Sequence, residues 1–234
     1  MKILIICEHG GNKIPPAYHA FFQHQQQALN SHRGYDPGTL DLFEEVKFLA
    51  DFSLKSEVSR LLVELNRSLH HRQLFSEISK EFSAEKKEEI LQQYYFPYRN
   101  SVEKQIETWI RFHEKVIHLS LHSFTPIFNG IERNTDFGIL YDSSKTNEKN
   151  FSKNFKLQLQ QELPQFKIRF NYPYLGKADG FTTYLRKKFP TNYTGIELEI
   201  NQKYAVENQF SATIKQAIVR VLERLQENEH SMFQ

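Results

Sequence analysis

The sequence predicts a single α/β domain whose central sheet, mainly parallel or mixed, is covered by helices on both faces. Short apolar runs alternate with amphipathic stretches along the chain. Its 234 residues suit one large domain, and no repeat or low-complexity linker divides them. Because strands separated by helices pair through crossover connections, this alternation favours a mainly parallel sheet.

The strands are predicted from short runs rich in β-branched and apolar residues. In chain order, these runs lie at 2–7, Val58–Leu65, Lys115–His122, Asp136–Tyr141, Phe166–Phe170 and Thr194–Ile200. The first run ends abruptly at Gly10 and Gly11, which allow the sharp turn that closes a buried strand.

The helices are predicted from apolar residues that recur at helical spacing. In chain order, they lie at 17–29, 39–52, 84–115, 148–162, 179–189 and about 206–227. The first begins just after two prolines, Pro15 and Pro16. Pro97 is expected to interrupt or kink the long stretch 84–115, because proline removes a backbone donor.

The composition excludes several function classes. A net charge of +2 with dispersed Lys and Arg argues against a nucleic-acid partner. No apolar run approaches the roughly 20 residues that span a bilayer, and the N-terminus carries no signal-peptide pattern. One cysteine, Cys7, excludes an intrachain disulfide. We therefore expect a cytoplasmic protein without a membrane partner.

Two histidines stand at the ends of predicted strands. His9 follows the first strand and His122 ends the third. The carboxyl ends of strands are where open α/β sheets bind ligands, so the pair forms a candidate metal site. His9 is also a candidate general base, or simply a histidine in a glycine-rich turn. His118, two residues before Ser120, is more typical of a core histidine.

A third candidate ligand lies in the segment from His32 to Gly38. Asp36 sits in a turn marked by proline and glycine, where it can cap the next helix or bind a metal. Two histidines and a carboxylate around an open position compose many zinc sites of hydrolases. A metal there would activate water, with a glutamate accepting its proton and an arginine stabilising the oxyanion.

Other polar residues at strand ends complete the candidate site. Asn66 and Arg67 follow the second strand, and an arginine fork beside an amide suits a carboxylate ligand. Glu197 and Glu199 alternate within an apolar strand, where a buried carboxylate needs a partner or a function. The alternative for Arg67 is a solvated arginine on the surface. The alternative for Glu197 and Glu199 is an edge strand whose acidic face lies in water.

Five stretches of the chain resemble the N-formylglutamate amidohydrolase family, in that family's order. They are Cys7–Pro15 (CEHGGNKIP), His32–Gly38 (HRGYDPG), Ser59–Ser68 (SRLLVELNRS), His122–Pro126 (HSFTP) and Gly195–Gln202 (GIELEINQ). The family is similar to zinc carboxypeptidases and aspartoacylases. The resemblance implies the zinc-carboxypeptidase-like phosphorylase/hydrolase fold and cleavage of an amide next to a free carboxylate.

The resemblance also implies a role for each matching residue. It makes His9 and His122 zinc ligands, and it makes Asn66 with Arg67 the clamp for a substrate carboxylate. Arg60 would polarise the scissile carbonyl. Glu199 would be the general base, because its surrounding pattern fits that position better than the pattern around Glu197.

One departure concerns the third metal ligand. The related enzymes use a glutamate three residues after the first histidine, where this chain has Asn12. Asp36 is the expected substitute, and Glu8 is second because it should point away from His9.

These observations predict a zinc-dependent amidohydrolase for a small N-acyl amino acid. The resemblance implies N-formyl-L-glutamate as the substrate, giving formate and glutamate. One alternative is a deacylase like aspartoacylase or succinylglutamate desuccinylase. Another is a non-catalytic carboxylate-binding module, which Asn12 favours and Glu199 disfavours. The acyl group, the amino-acid side chain and the oligomeric state stay open.

Overall fold

A computed structural model describes residues 1–231 of the chain, with side chains through residue 227. The strands, in chain order, are β1 (Lys2–Cys7), β2 (Phe52–Lys55), β3 (Val116–Phe124), β4 (Ile127–Phe128), β5 (Ile131–Glu132), β6 (Phe137–Leu140), β7 (Ile168–Phe170) and β8 (Tyr193–Asn201). The α-helices are α1 (His19–Phe22), α2 (Gln26–Leu29), α3 (Thr39–Val46), α4 (Ala84–Ile90), α5 (Phe96–Arg111), α6 (Thr146–Glu162), α7 (Phe181–Lys188) and α8 (Ala212–Ser231).

Six strands form the central sheet in the order β2-β1-β3-β8-β6-β7. The four strands from β2 to β8 are parallel, whereas β6 runs antiparallel to β8 and parallel to β7. Strands β4 and β5 form a separate hairpin directly after β3. The predicted fold class, a single α/β domain with a mixed sheet, is therefore confirmed.

Apolar side chains of β1 alternate between two cores, one on each face of the sheet. Ile3, Ile5 and Cys7 pack with helices α3, α6 and α8, whereas Leu4 and Ile6 pack with α5 and α7. On neighbouring strands β3 and β8, the α5–α7 face carries polar side chains toward the carboxyl ends. These polar side chains lie next to one another at the carboxyl edge of the sheet, where they form the candidate site.

Local signals set the ends of several helices. Gly38 precedes α3 with φ 84°, a left-handed conformation that glycine adopts without strain. The Ser83 hydroxyl accepts a hydrogen bond from the backbone N–H of Lys86 at the start of α4. Pro97 lies in the first turn of α5, where its missing N–H costs nothing. A π-helical turn, Leu91–Tyr95, joins α4 to α5 and divides the predicted helix 84–115.

The predicted strand Val58–Leu65 is wrong. This segment folds as consecutive turns whose backbone groups bond to other loops, for example the N–H of Arg60 to the carbonyl of Gly34 at 3.1 Å. The strand at this edge of the sheet is instead β2, which begins at the last residue of the predicted helix 39–52 and continues beyond it. That helix ends early because Asp51 bonds to the backbone of Ile3 and draws the chain into the sheet.

Two further predicted helices differ from the structure. Residues 17–29 form two short helices rather than one, and the last helix begins at Ala212 rather than near 206. Of the helices within residues 1–231, none is both long enough and apolar enough to cross a bilayer.

Candidate metal and substrate site

The loop after β1 is held close to two other segments. The N–H of Gly10 donates to the carbonyl of Ser56 at 3.0 Å, and the N–H of Asp36 donates to the carbonyl of His9 at 2.9 Å. A Cβ on Gly11 would lie 2.7 Å from the carbonyl oxygen of Glu57, so this approach requires glycine. These backbone contacts fix His9 beside the turn that carries Asp36.

His9, Asp36 and His122 form a buried cluster at the carboxyl ends of β1 and β3. Oδ2 of Asp36 lies 3.3 Å from Nδ1 of His9 and 3.0 Å from Nδ1 of His122. One ligand atom from each of the three residues lies within 4.8 Å of the others. Two imidazole nitrogens and one carboxylate oxygen match the donor set of a zinc site with an open position. The cluster therefore fits a divalent metal ion.

Glu64 and Arg60 support the cluster on the His9 side. Glu64 accepts a hydrogen bond from Nε2 of His9, which leaves Nδ1 facing Asp36. Arg60 donates to Glu64 at 2.8 Å and to Asp36 at 3.0 Å. Carboxylates that bond the far nitrogen of a metal-binding histidine fix its ring orientation and its tautomer. Sequence reasoning did not identify Glu64, although it lies inside the motif that contains Arg60.

Ser120 and Glu8 support the cluster on the His122 side. Nε2 of His122 lies 2.9 Å from the Ser120 hydroxyl, which donates to Glu8 at 2.8 Å. Glu8, the second candidate ligand, thus stands behind His122 and not among the three clustered donors. Asn12 donates to the side chain of Asn30 and takes no part in the cluster.

Opposite charges stand close together in the cluster. Burial raises the pKa of Asp36, but the positive charges of His9 and Arg60 prevail and hold it well below its usual range. Burial lowers the pKa of His122, yet its hydrogen bond with Asp36 and the charge of Glu8 raise it to about 10. Both shifts follow from the close approach of the Asp36 carboxylate to the imidazole rings.

Glu199 lies beside the cluster on strand β8. It pairs in register with His122, and Glu197 pairs one repeat deeper with Ser120. The side chain of Glu199 is buried, and its Oε2 has no hydrogen-bond partner among the described residues. Burial raises the pKa of Glu199 to about 8, and the negative charge of Asp36 adds to the shift. A buried carboxylate with a free oxygen can accept a proton from a group in the site.

Asn66 and Arg67 approach from the segment after Glu64. Nδ2 of Asn66 lies 3.5 Å from Nε2 of His122, and its Oδ1 accepts the N–H of Phe181 at 2.7 Å. Arg67 donates to the backbone carbonyl of Asp179 at 2.6 Å. A cavity of about 390 Å³ opens beside Arg67, and its lining includes Arg60, Glu64, Arg72 and Lys80. The cavity joins Arg67 to the residues that support His9.

His118 lies deeper in the sheet than His122. It is fully buried, and its Nδ1 lies 2.6 Å from the hydroxyl of Tyr193. Burial lowers the pKa of His118 to about 3, so this histidine is neutral. The structure therefore places it in the core, outside the cluster.

Three further residues lie near the cluster, and the sequence analysis assigned no chemical role to any of them. His32 lies 3.3 Å from Oδ1 of Asp36 and bonds to Gln202 at 2.7 Å. Arg133 and Tyr174 lie at the mouth of the site, stacked on one another. The Asn-Gly pair at 129–130, a strong hairpin signal, could have indicated that Arg133 returns to the end of β3.

Comparisons with known proteins agree with this architecture. A model of the N-formylglutamate amidohydrolase family matches residues 1–205. The gene product Atu2144 of Agrobacterium tumefaciens has a similar fold, with a TM-score of 0.73 at 20% identity over 97% of this chain and 88% of that one. An N-formylglutamate amidohydrolase from Ralstonia eutropha JMP134 gives 0.70 at 16% identity, over 96% and 94%. A search of curated proteins found no match.

Proposed function

Because the chain belongs to the N-formylglutamate amidohydrolase family, we propose that it hydrolyses the amide of a small N-acyl amino acid. The proposed substrate is N-formyl-L-glutamate, and the proposed metal is zinc. Water and the amide react to give formate and glutamate. One observation carries this proposal: Glu199 keeps a buried, unpartnered carboxylate oxygen beside the cluster of His9, Asp36 and His122.

His9, Asp36 and His122 would hold the metal. Zinc at such a donor set supplies Lewis acidity toward a carbonyl oxygen and toward water. The contacts of Glu64 with His9 and of Ser120 with His122 would keep both rings oriented.

Glu199 would act as the general base. Its free oxygen would accept a proton from the attacking water and then deliver it to the nitrogen of the scissile amide. The C–N bond would then break with a neutral amine as the leaving group rather than an anion. A cation in the cluster would favour the ionised carboxylate at neutral pH, because opposite charge lowers the pKa of an acid. Glu197 lies one repeat farther from the carboxyl edge and is the weaker candidate.

Two arginines would contact the substrate. Arg67 would hold a carboxylate with Asn66, since a guanidinium fork matches carboxylate geometry. Arg60 already donates to Asp36 and Glu64, so only its remaining N–H groups would polarise the scissile carbonyl. Arg60 and Arg67 both line the cavity beside Glu64, so a substrate that enters this cavity would lie within reach of both.

The test is the release of formate from N-formyl-L-glutamate by zinc-loaded protein, together with elemental analysis. We expect one equivalent of zinc and turnover that falls about 10²- to 10⁴-fold in Glu199→Gln, which keeps shape but cannot accept the proton. Glu197→Gln is the matched control on the same strand and should retain most activity. Inactive, zinc-free parent protein that still binds carboxylates would instead identify a binding module.

A further inference from the structure

We propose that Arg133 binds a second carboxylate of the substrate, on its amino-acid side chain, so that the site selects N-acyl dicarboxylic amino acids. The inference rests on the proposed function and adds to it a specificity-determining residue. The hairpin of β4 and β5 delivers this arginine to the mouth of the site.

Arg133 is a buried cation without an anionic partner. Its side chain is only 8% exposed. It donates from Nη1 to the hydroxyl of Thr125 at 3.1 Å, and within residues 1–227 no carboxylate lies at ion-pair distance from it. A buried charge is costly unless it is paired, so this arrangement is most stable when an anion binds.

Aromatic side chains hold the guanidinium in place. Its central carbon lies 4.5 Å from the ring centre of Phe128 and 5.0 Å from that of Tyr174. Stacked guanidinium groups keep their N–H edges free for in-plane contacts with a carboxylate. The arginine is therefore oriented before a ligand arrives.

The position of Arg133 relative to Glu199 sets which part of a substrate it can reach. Asn201, two residues beyond Glu199 on the same face of β8, donates to the carbonyl of Arg133 at 3.3 Å. The contact anchors the backbone of Arg133 beyond the proposed base, toward the carboxyl edge of the sheet. Arg133 can therefore reach the part of a substrate that extends past Glu199 along β8.

Geometry places the guanidinium at the same edge of the sheet as the cluster. Its central carbon lies 5.9 Å from the ring centre of Phe124, the last residue of β3, two residues beyond His122. Arg133 thus stands at the carboxyl ends of the strands that carry His122 and Glu199.

Arg67 and Arg133 reach the site from different segments. Arg67 follows Glu64 and lines the cavity beside Arg60, whereas Arg133 stands against the ends of β3 and β8. Two separate arginines can hold two carboxylates at once. A substrate with one carboxylate would leave one of these cations unpaired.

The experiment compares N-formyl-L-glutamate with its neutral isostere N-formyl-L-glutamine in wild type and Arg133→Met. We expect kcat/KM for the glutamate substrate to fall about 10- to 100-fold in the variant, the scale of one hydrogen bond to a charged group. The glutamine substrate should change less than about 3-fold. Arg169→Met, an exposed arginine stacked on Tyr172, is the control and should leave both values unchanged.

Calorimetric binding of L-glutamate and L-glutamine provides a readout that needs no turnover. Wild type should prefer glutamate, and Arg133→Met should lose that preference. Equal losses for both ligands, or no loss, would overturn the proposal, and the neutral, polar Arg133→Gln gives the same test if the methionine variant does not fold. If wild type binds glutamate through Arg133 but releases no formate, the proposed function fails and this assignment stands.

Discussion

Replacing Glu199 by glutamine should change how the stability of the metal-free protein depends on pH. The pKa of Glu199 rises from 4.5 to about 8, first because of burial. Between these values the folded protein keeps a proton on Glu199 that the unfolded chain releases. Stability from this group is therefore fully present below pH 4.5 and is lost as the pH rises through 8. Glutamine cannot titrate, so the variant should not show this loss.

The pKa difference sets the size of the effect. Each pH unit between the two pKa values changes the free energy of unfolding by about 1.4 kcal/mol. Raising the pH from 5 to 7.5 should therefore destabilise wild type relative to Glu199→Gln by about 3 kcal/mol. Such a difference is a large fraction of the stability of a typical domain.

Urea unfolding in the presence of a chelator, followed by the fluorescence of Trp109, measures this difference at a series of pH values. Glu132→Gln removes one carboxylate from the exposed hairpin and serves as the control. Wild-type and Glu199→Gln curves that stay parallel from pH 5 to 7.5 would refute the reasoning, because they would mean that Glu199 ionises alike in both states.

Three further expectations concern the clamp, the metal and the core. Arg67→Ala should raise KM for N-formyl-L-glutamate with little change in kcat, and Arg67→Lys should recover little, because an ammonium lacks the planar fork; steady-state kinetics with an unchanged KM would remove Arg67 from the clamp. Removing zinc should lower the free energy of unfolding by about 3 kcal/mol relative to protein at 100 times the dissociation constant; an identical melting temperature with and without chelator would contradict a metal site. Phe155→Ala, in the core between α6 and the sheet, should cost about 3 to 5 kcal/mol in urea unfolding without changing zinc content; a loss below 1 kcal/mol would mean that the site repacks.

Much of the fold could be predicted because the strands at the centre of the sheet are clear apolar runs in the sequence. Strands β1, β3 and β8 lie close to their predicted ranges. The segment Val58–Leu65 misled the prediction because Leu61, Leu62 and Val63 are all buried in succession. Turns that pack inside a protein can bury several consecutive residues. A short apolar run therefore does not distinguish such turns from a strand that is buried on both faces.

The cluster of His9, Asp36 and His122 could be anticipated because each residue stands beside a strand end or a glycine-rich turn. Glu64 could not be found in this way, and only the hairpin signal at 129–130 points toward the position of Arg133. Their roles depend on which loops meet in space, and the loop carrying Glu64 was predicted as a strand. Long-range contacts of this kind leave no local periodicity in the sequence.

Glu64 touches the candidate metal cluster and the candidate clamp at the same time. One oxygen bonds to His9 and to the backbone N–H of Asn66, and the other accepts from Arg60. Glu64 therefore links the two sides, because a ligand that displaces this carboxylate on one side changes its contacts on the other. Thermodynamic reciprocity then requires that a metal and a carboxylate ligand change each other's affinity by the same factor. The apparent dissociation constant of the metal should therefore change when glutamate is bound, and that of glutamate should change by the same factor when the metal is bound.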